Sequence, residues 1–186
     1  MTCIVGLVEN GTVYLGGDSC VGYDWQGKRQ YGDSISKVFK VDVLLFGSSG
    51  DRRAAQLVEC GLVLPSQEKG QADLWYLVMV VSEQIRDLLK SHGQAKIESN
   101  QENSETAFLI GYHGGLYRMG IDYSIVQHIE PFDSIGSGYA FALGALEAIK
   151  DVDMKPKARI KTALRIAARY ANGVDENFVI MKEGAK

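Results

Sequence analysis

The chain is short of the residues that build metal centres, disulfide frames and nucleic-acid surfaces. Its three cysteines, Cys3, Cys20 and Cys60, are odd in number, scattered and without a CxxC spacing, which argues against a disulfide framework or a thiolate zinc site and for reduced thiols. Three histidines, His92, His113 and His128, lie far apart in unrelated contexts, so none presents itself as a general base. No apolar run is long enough to span a bilayer, and the first residues lack the basic and hydrophobic regions of a secretory signal. Positive charge is also scarce: 20 Lys and Arg against 23 Asp and Glu leave a net charge of -3. Neither Lys28-Arg29 nor the charges between Lys155 and Arg169 form a nucleic-acid footprint. These shortages point to a cytoplasmic protein that binds neither nucleic acid nor membrane. With 186 residues, 46% hydrophobic and 23% charged, it can bury the core of one domain spanning 1-186.

What the chain does have is a threonine directly after Met1. Removing Met1 gives Thr2 both a hydroxyl nucleophile and a free α-amine, and an amine of pKa ~7.7–8.0 can take the hydroxyl proton near neutral pH. Ile4, Val5, Leu7 and Val8 then form an apolar, β-branched run, Asn10-Gly11 marks a two-residue hairpin, and Thr12 to Leu15 resumes the strand pattern. Pairing Glu9 with Thr12 sets Thr2 opposite Ser19, with Asp18 one step away. Period-2 alternation sends the Asp18 side chain to the far face, so a bulge or sharp twist at Gly16-Gly17 is expected to turn it back.

A second hairpin turns near Asp42, between Lys37 to Val41 and Val43 to Phe46, and sets Lys37 opposite Gly47-Ser48-Ser49-Gly50. That small-residue loop, leading into a helix from about Asp51 to Cys60, can offer backbone N–H groups to a developing oxyanion. Further on, Ala72 to Ser91 reads as a helix whose core stripe is Trp75, Val78, Val81, Ile85 and Leu88. Gly93 to Glu105 reads as a polar connection. Strands are expected at Thr106 to Tyr112, Leu116 to Gly120 and Ile125 to Glu130, helices from Gly138 to about Lys150 and from Pro156 to about Tyr170, and a last strand at Phe178 to Met181. Strands, two helices, strands, two helices and a strand imply an α+β layered domain.

Taken in order, Thr2, Gly17-Asp18, Lys37-Val38 and Ile135-Gly136-Ser137-Gly138 before a helix resemble the proteasome β-subunit family, most closely its bacterial HslV-type branch. The resemblance runs from Thr2 to the last strand. It implies the four-layer αββα sandwich of N-terminal nucleophile hydrolases and catalytic roles for Thr2, Asp18, Lys37 and Ser137. It also implies an oxyanion site on the backbone of Gly47, Ser48 and Ser49, above all Ser48, and a substrate pocket from Cys20, Val21, Leu45, Gly50 and Arg53. The segment between Asp18 and Lys37, with Tyr23, Trp25, Lys28, Arg29 and Tyr31, is slightly longer than the family pattern and suggests a distinct substrate-side loop. Where the archaeal and eukaryotic pattern has an Asp and a Ser after the last long helix, Ala171 and Val174 stand, as in the bacterial branch, which lacks that pair.

The activity so implied is hydrolysis of peptides or unfolded proteins by Thr2, a mechanism that needs no metal or organic cofactor, in a homo-oligomeric ring with ring contacts from 51–60 and 72–91 and an AAA+ unfoldase as possible partner. Two alternatives keep the same fold: a non-peptide amidase or acylase with a small closed pocket, and a non-catalytic assembly subunit.

Overall fold

A computed structural model of the chain describes residues 1–23, 29–31 and 36–183, with backbone alone for 20–23 and 29–31. Strands β1 (Ile4–Glu9) and β2 (Thr12–Asp18) form the first hairpin around Asn10-Gly11, both at positive φ as this turn demands. Glu9 pairs with Thr12 and the register runs without a break to Ile4 opposite Gly17. The expected bulge is therefore not there. β3 (Cys20–Tyr23) and β4 (Arg29–Tyr31) pair as a separate two-stranded ribbon. Trp25 and Lys28 of the expected substrate-side loop lie outside the described residues.

β5 (Val38–Val41) and β6 (Leu44–Ser49) are joined at Asp42, with Val38 opposite Gly47. Asp51 then caps α1 (Arg52–Gly61), its carboxylate accepting from the Ala54 N–H at 3.0 Å. The next helix is interrupted: α2 (Asp73–Tyr76) passes through a π-helical stretch, Leu77–Val81, into α3 (Ser82–Ser91). The wider π turn rotates the buried face, so Tyr76, Leu77, Val81, Ile85 and Leu89 are buried while Trp75 and Val78 of the expected stripe face outward. The connection after it is not merely polar loop, because β7 (Lys96–Glu98) and β8 (Gln101–Asn103) pair as a short exposed hairpin. There follow β9 (Ala107–Tyr112), β10 (Gly115–Met119), β11 (Ile125–Gln127) and β12 (Phe132–Ile135), then α4 (Tyr139–Ala148), α5 (Pro156–Tyr170) and β13 (Phe178–Lys182).

Two antiparallel sheets result, ordered β12-β1-β2-β13 and β11-β10-β9-β6-β5. Alternate residues along each strand face the other sheet or a helical layer. Ile4, Val13, Leu15, Leu45 and Leu109 meet between the sheets, Val5 and Leu7 pack under Leu146, Ile160 and Leu164 of α4 and α5, and Phe46, Phe108 and Ile110 pack under Leu57, Leu77 and Ile85. The order is helices, sheet, sheet, helices: the αββα sandwich. The sheets approach closely at the start of β1. A Cβ on Gly17 or Gly47 would lie 2.7 or 2.5 Å from the Ile4 side chain, so Ile4 is seated between two bare backbones. That seat anchors the strand whose head carries Thr2.

Candidate active site

Thr2 stands at the mouth of the sandwich just before β1, only 6% exposed. Its N–H donates to Ser137 Oγ at 3.2 Å; with Met1 attached this nitrogen is a peptide amide. Ser137 Oγ also donates to the Thr2 carbonyl at 3.3 Å, and the Gly138 N–H donates to the same oxygen at 3.2 Å. The turn that makes this possible needs Gly136: its φ is +94°, and a Cβ there would fall 2.3 Å from the Thr2 carbonyl oxygen and 3.0 Å from Ser49 Oγ.

Asp18 reaches the strand headed by Thr2 by another route than a bulge. It lies across from Cys3, donates its N–H to the Cys3 carbonyl at 3.3 Å, and its carboxylate Oδ1, instead of its carbonyl, accepts the Cys3 N–H at 2.8 Å. The side chain thus takes one rung of the ladder. Its Oδ2 accepts from Lys37 Nζ at 2.8 Å, a pair with side chains 0% and 13% exposed respectively. Burial pushes the Asp18 carboxyl above the usual carboxylate range, opposed by the Lys37 charge, its hydrogen bond and the Cys3 N–H, and reinforced by the nearby Asp175 carboxylate. Lys37 Nζ donates as well to the Met1 carbonyl at 3.1 Å, and the Thr2 hydroxyl donates to that same oxygen at 2.7 Å. The Met1 side chain rests on Gly173, where a Cβ would lie 2.4 Å from its own Cβ. Cys3, beside Thr2, is no rival nucleophile: burial pushes its thiol up to about 12.

Thr2, Asp18, Lys37 and Ser137 are therefore brought together. The oxyanion segment differs from expectation. The Ser48 N–H donates to the Lys37 carbonyl at 2.8 Å, because β6 continues to pair with the chain entering β5, so that amide is committed to the sheet. Gly47 lies inside the ladder opposite Leu109, and Ser49 is half-buried with its hydroxyl beside Gly136. Of the expected pocket, Leu45 is fully buried between the sheets and lines no open pocket: its strand position points it into the core. Gly50 and Arg53 are exposed, and the side chains of Cys20 and Val21 lie outside the described residues.

One residue of the site escapes sequence inspection. Asp175, buried beside the inert Val174, accepts from the Ser19 N–H at 3.2 Å and from Ser19 Oγ at 3.3 Å. Only the Asp-x-Asn spacing to Asn177, whose N–H returns to Asp175 Oδ1 at 3.1 Å, hints at a turn there. That it faces Ser19 follows from β13 pairing with β2, Phe178 opposite Asp18, which no local pattern predicts.

The chain has the fold of the proteasome-like N-terminal nucleophile hydrolases. Among solved structures it is similar to Thiobacillus denitrificans BPH in complex with epoxomicin, with a TM-score of 0.81 and 16% identity over 100% of both chains. It is similar to eukaryotic HslV from Trypanosoma brucei, with a TM-score of 0.67 and 19% identity over 98% of this chain and 100% of that one. It is similar also to Anbu, an ancestral β-subunit from Yersinia bercovieri, with a TM-score of 0.67 and 13% identity over 98% and 81%. No protein-family model matches the sequence, and no curated protein matches it either. Among the described residues, no helix is long and apolar enough to cross a membrane, and no cluster of His, Cys, Asp and Glu could hold a metal ion.

Proposed function

We propose that the chain is a threonine-type peptidase whose nucleophile is Thr2, exposed by removal of Met1. The observation that carries this reading is the convergence on one residue: Ser137 Oγ on the Thr2 nitrogen, the Asp18–Lys37 pair on the adjacent backbone, and a Thr2 hydroxyl that bonds no side chain among the described residues. With Met1 gone, the hydroxyl attacks a peptide carbonyl while the α-amine takes its proton, directly or through a water held by Ser137. Lys37, released from the Met1 carbonyl, keeps a positive charge beside the developing negative one. The Ser48 amide being engaged, we assign the oxyanion to Ser49, through its backbone N–H and its hydroxyl beside Gly136. The amine then returns the proton to the leaving nitrogen, and water resolves the acyl-enzyme.

An open site of this kind is controlled by enclosure, and we read the assembly as a homo-oligomeric ring acting on peptides or unfolded proteins in the cytoplasm, with an AAA+ unfoldase as partner. Apolar side chains stand exposed on both helical layers: Leu74, Trp75 and Met79 on one, Tyr139, Phe141 and Tyr170 on the other.

Intact mass of the natively expressed protein, with and without an epoxyketone probe, tests processing and nucleophilicity together. The expected result is loss of Met1, one adduct per chain, and no adduct or peptide turnover in a folded Thr2→Ala protein, with Thr2→Ser partly active. Turnover by folded Thr2→Ala overturns the mechanism; cleavage of small amides but not of peptides replaces peptidase by amidase.

A further inference from the structure

We propose that Asp175 is a positioning residue of this site: from the loop before β13 it fixes Ser19 and sets a second buried carboxylate against the Asp18–Lys37 pair. The inference rests on the reading of Thr2 as nucleophile, but its geometry stands by itself.

Asp175 is 1% exposed, as is Asp18, and no cation pairs with it among the described residues. A carboxylate so buried must be satisfied by hydrogen bonds, and three donors do this: the Ser19 N–H, the Ser19 hydroxyl and the Asn177 N–H. Two of the three belong to Ser19, the residue directly after Asp18. The Ser19 N–H is held from two sides, since it also donates to the Asn177 carbonyl at 2.9 Å. Asp175 therefore pins the chain where β2 leaves the sheet, and the Asp18 carboxylate, one residue earlier, is held in its rung on Cys3. A clamp alone could be made by a neutral amide. The charge has a further effect, because across the single residue Ser19 it raises the proton affinity of the Asp18 carboxyl.

Among the described residues, the charged and titratable groups tied to this site are Lys37 from the head of β5, Asp18 from β2, Cys3 from β1 and, through Ser19, Asp175 from the last loop. The second carboxylate opposes the positive charge of Lys37 and favours the ammonium that forms as the Thr2 amine accepts its proton.

The test compares Asp175→Asn, which keeps the clamp's acceptor oxygen and removes the charge, with Asp175→Ala, which removes both; thermal melts establish folding. The Asp18 carboxyl is titrated by NMR in each protein and in wild type, and the epoxyketone labelling rate is followed against pH. In Asp175→Asn the Asp18 midpoint should fall by about half a unit or more, and the acid limb of labelling should move to lower pH by a similar amount. Asp175→Ala should show both shifts and a further loss of labelling rate of about tenfold at every pH from the lost clamp. An unchanged Asp18 midpoint in folded Asp175→Asn overturns the proposal. If wild type is never labelled, the peptidase reading fails, while the Asp18 titration still decides the role of Asp175.

Discussion

Lys37 and Asp18 show how much one buried ion pair is asked to do. Asp18 is desolvated, so its carboxyl lies above the ordinary range even with an ammonium at 2.8 Å. A carboxyl that binds its proton more tightly folded than unfolded contributes less stability as pH rises between its two pKa values. Lys37→Met removes the ammonium and lifts the folded value further, taking the Lys37 charge from the buried carboxylate. The variant should stay close to wild type at low pH, where Asp18 is protonated in both states, and lose about 3 kcal/mol at pH 8. Chemical denaturation at the two pH values checks this, and an equal loss at both would show that Lys37 acts by packing alone. Gly136 is the other residue with a single duty. Gly136→Ala forces a side chain into positive φ and onto the Thr2 carbonyl, so it should cost about 2 kcal/mol and nearly abolish probe labelling. Labelling at the wild-type rate would mean that the Thr2 carbonyl has room to move.

Elements were legible in the sequence where a local rule decides them. Asn10-Gly11 set the first hairpin and its register, Asp51 the start of α1, Pro156 the start of α5, and the pairing of Lys37 with Ser48 followed from the turn at Asp42. Features that depend on a partner element were not legible. The π turn at Leu77–Val81 moves Trp75 and Val78 out of the expected stripe, and nothing in an apolar periodicity announces a change of helical pitch. β12 was hidden because Phe132 to Ile135 is short and is defined by pairing with β1. Similarly, the carboxylate of Asp18 occupying a ladder rung, and Asp175 facing Ser19, arise from contacts between strands far apart in the chain.

For the whole molecule, the two helical layers make different surfaces. On one, Trp75 and Met79 are each about half exposed, an outcome of the π turn that costs apolar area unless another surface covers it. Light scattering should find a closed homo-oligomer, and Trp75→Asp should shift its mass downward while a monomer-level melt changes little. An unchanged mass in that variant would remove this face from the interface.

The central place of β1 has a consequence for how the protein dies under heat. That strand has β12 on one side and β2 on the other, with Ile4 to Leu7 fully buried, and Thr2 leads directly into it. Its amides should be among the slowest to exchange with deuterium, released only by global opening. Thr2, the proposed nucleophile, is thus moored to the last part of the molecule to come loose. Activity should then persist up to the temperature at which the whole domain melts, and the inactivation curve and the calorimetric transition should coincide. A loss of labelling well below that transition would mean that some outlying part, rather than the keel of the fold, governs how long the site lasts.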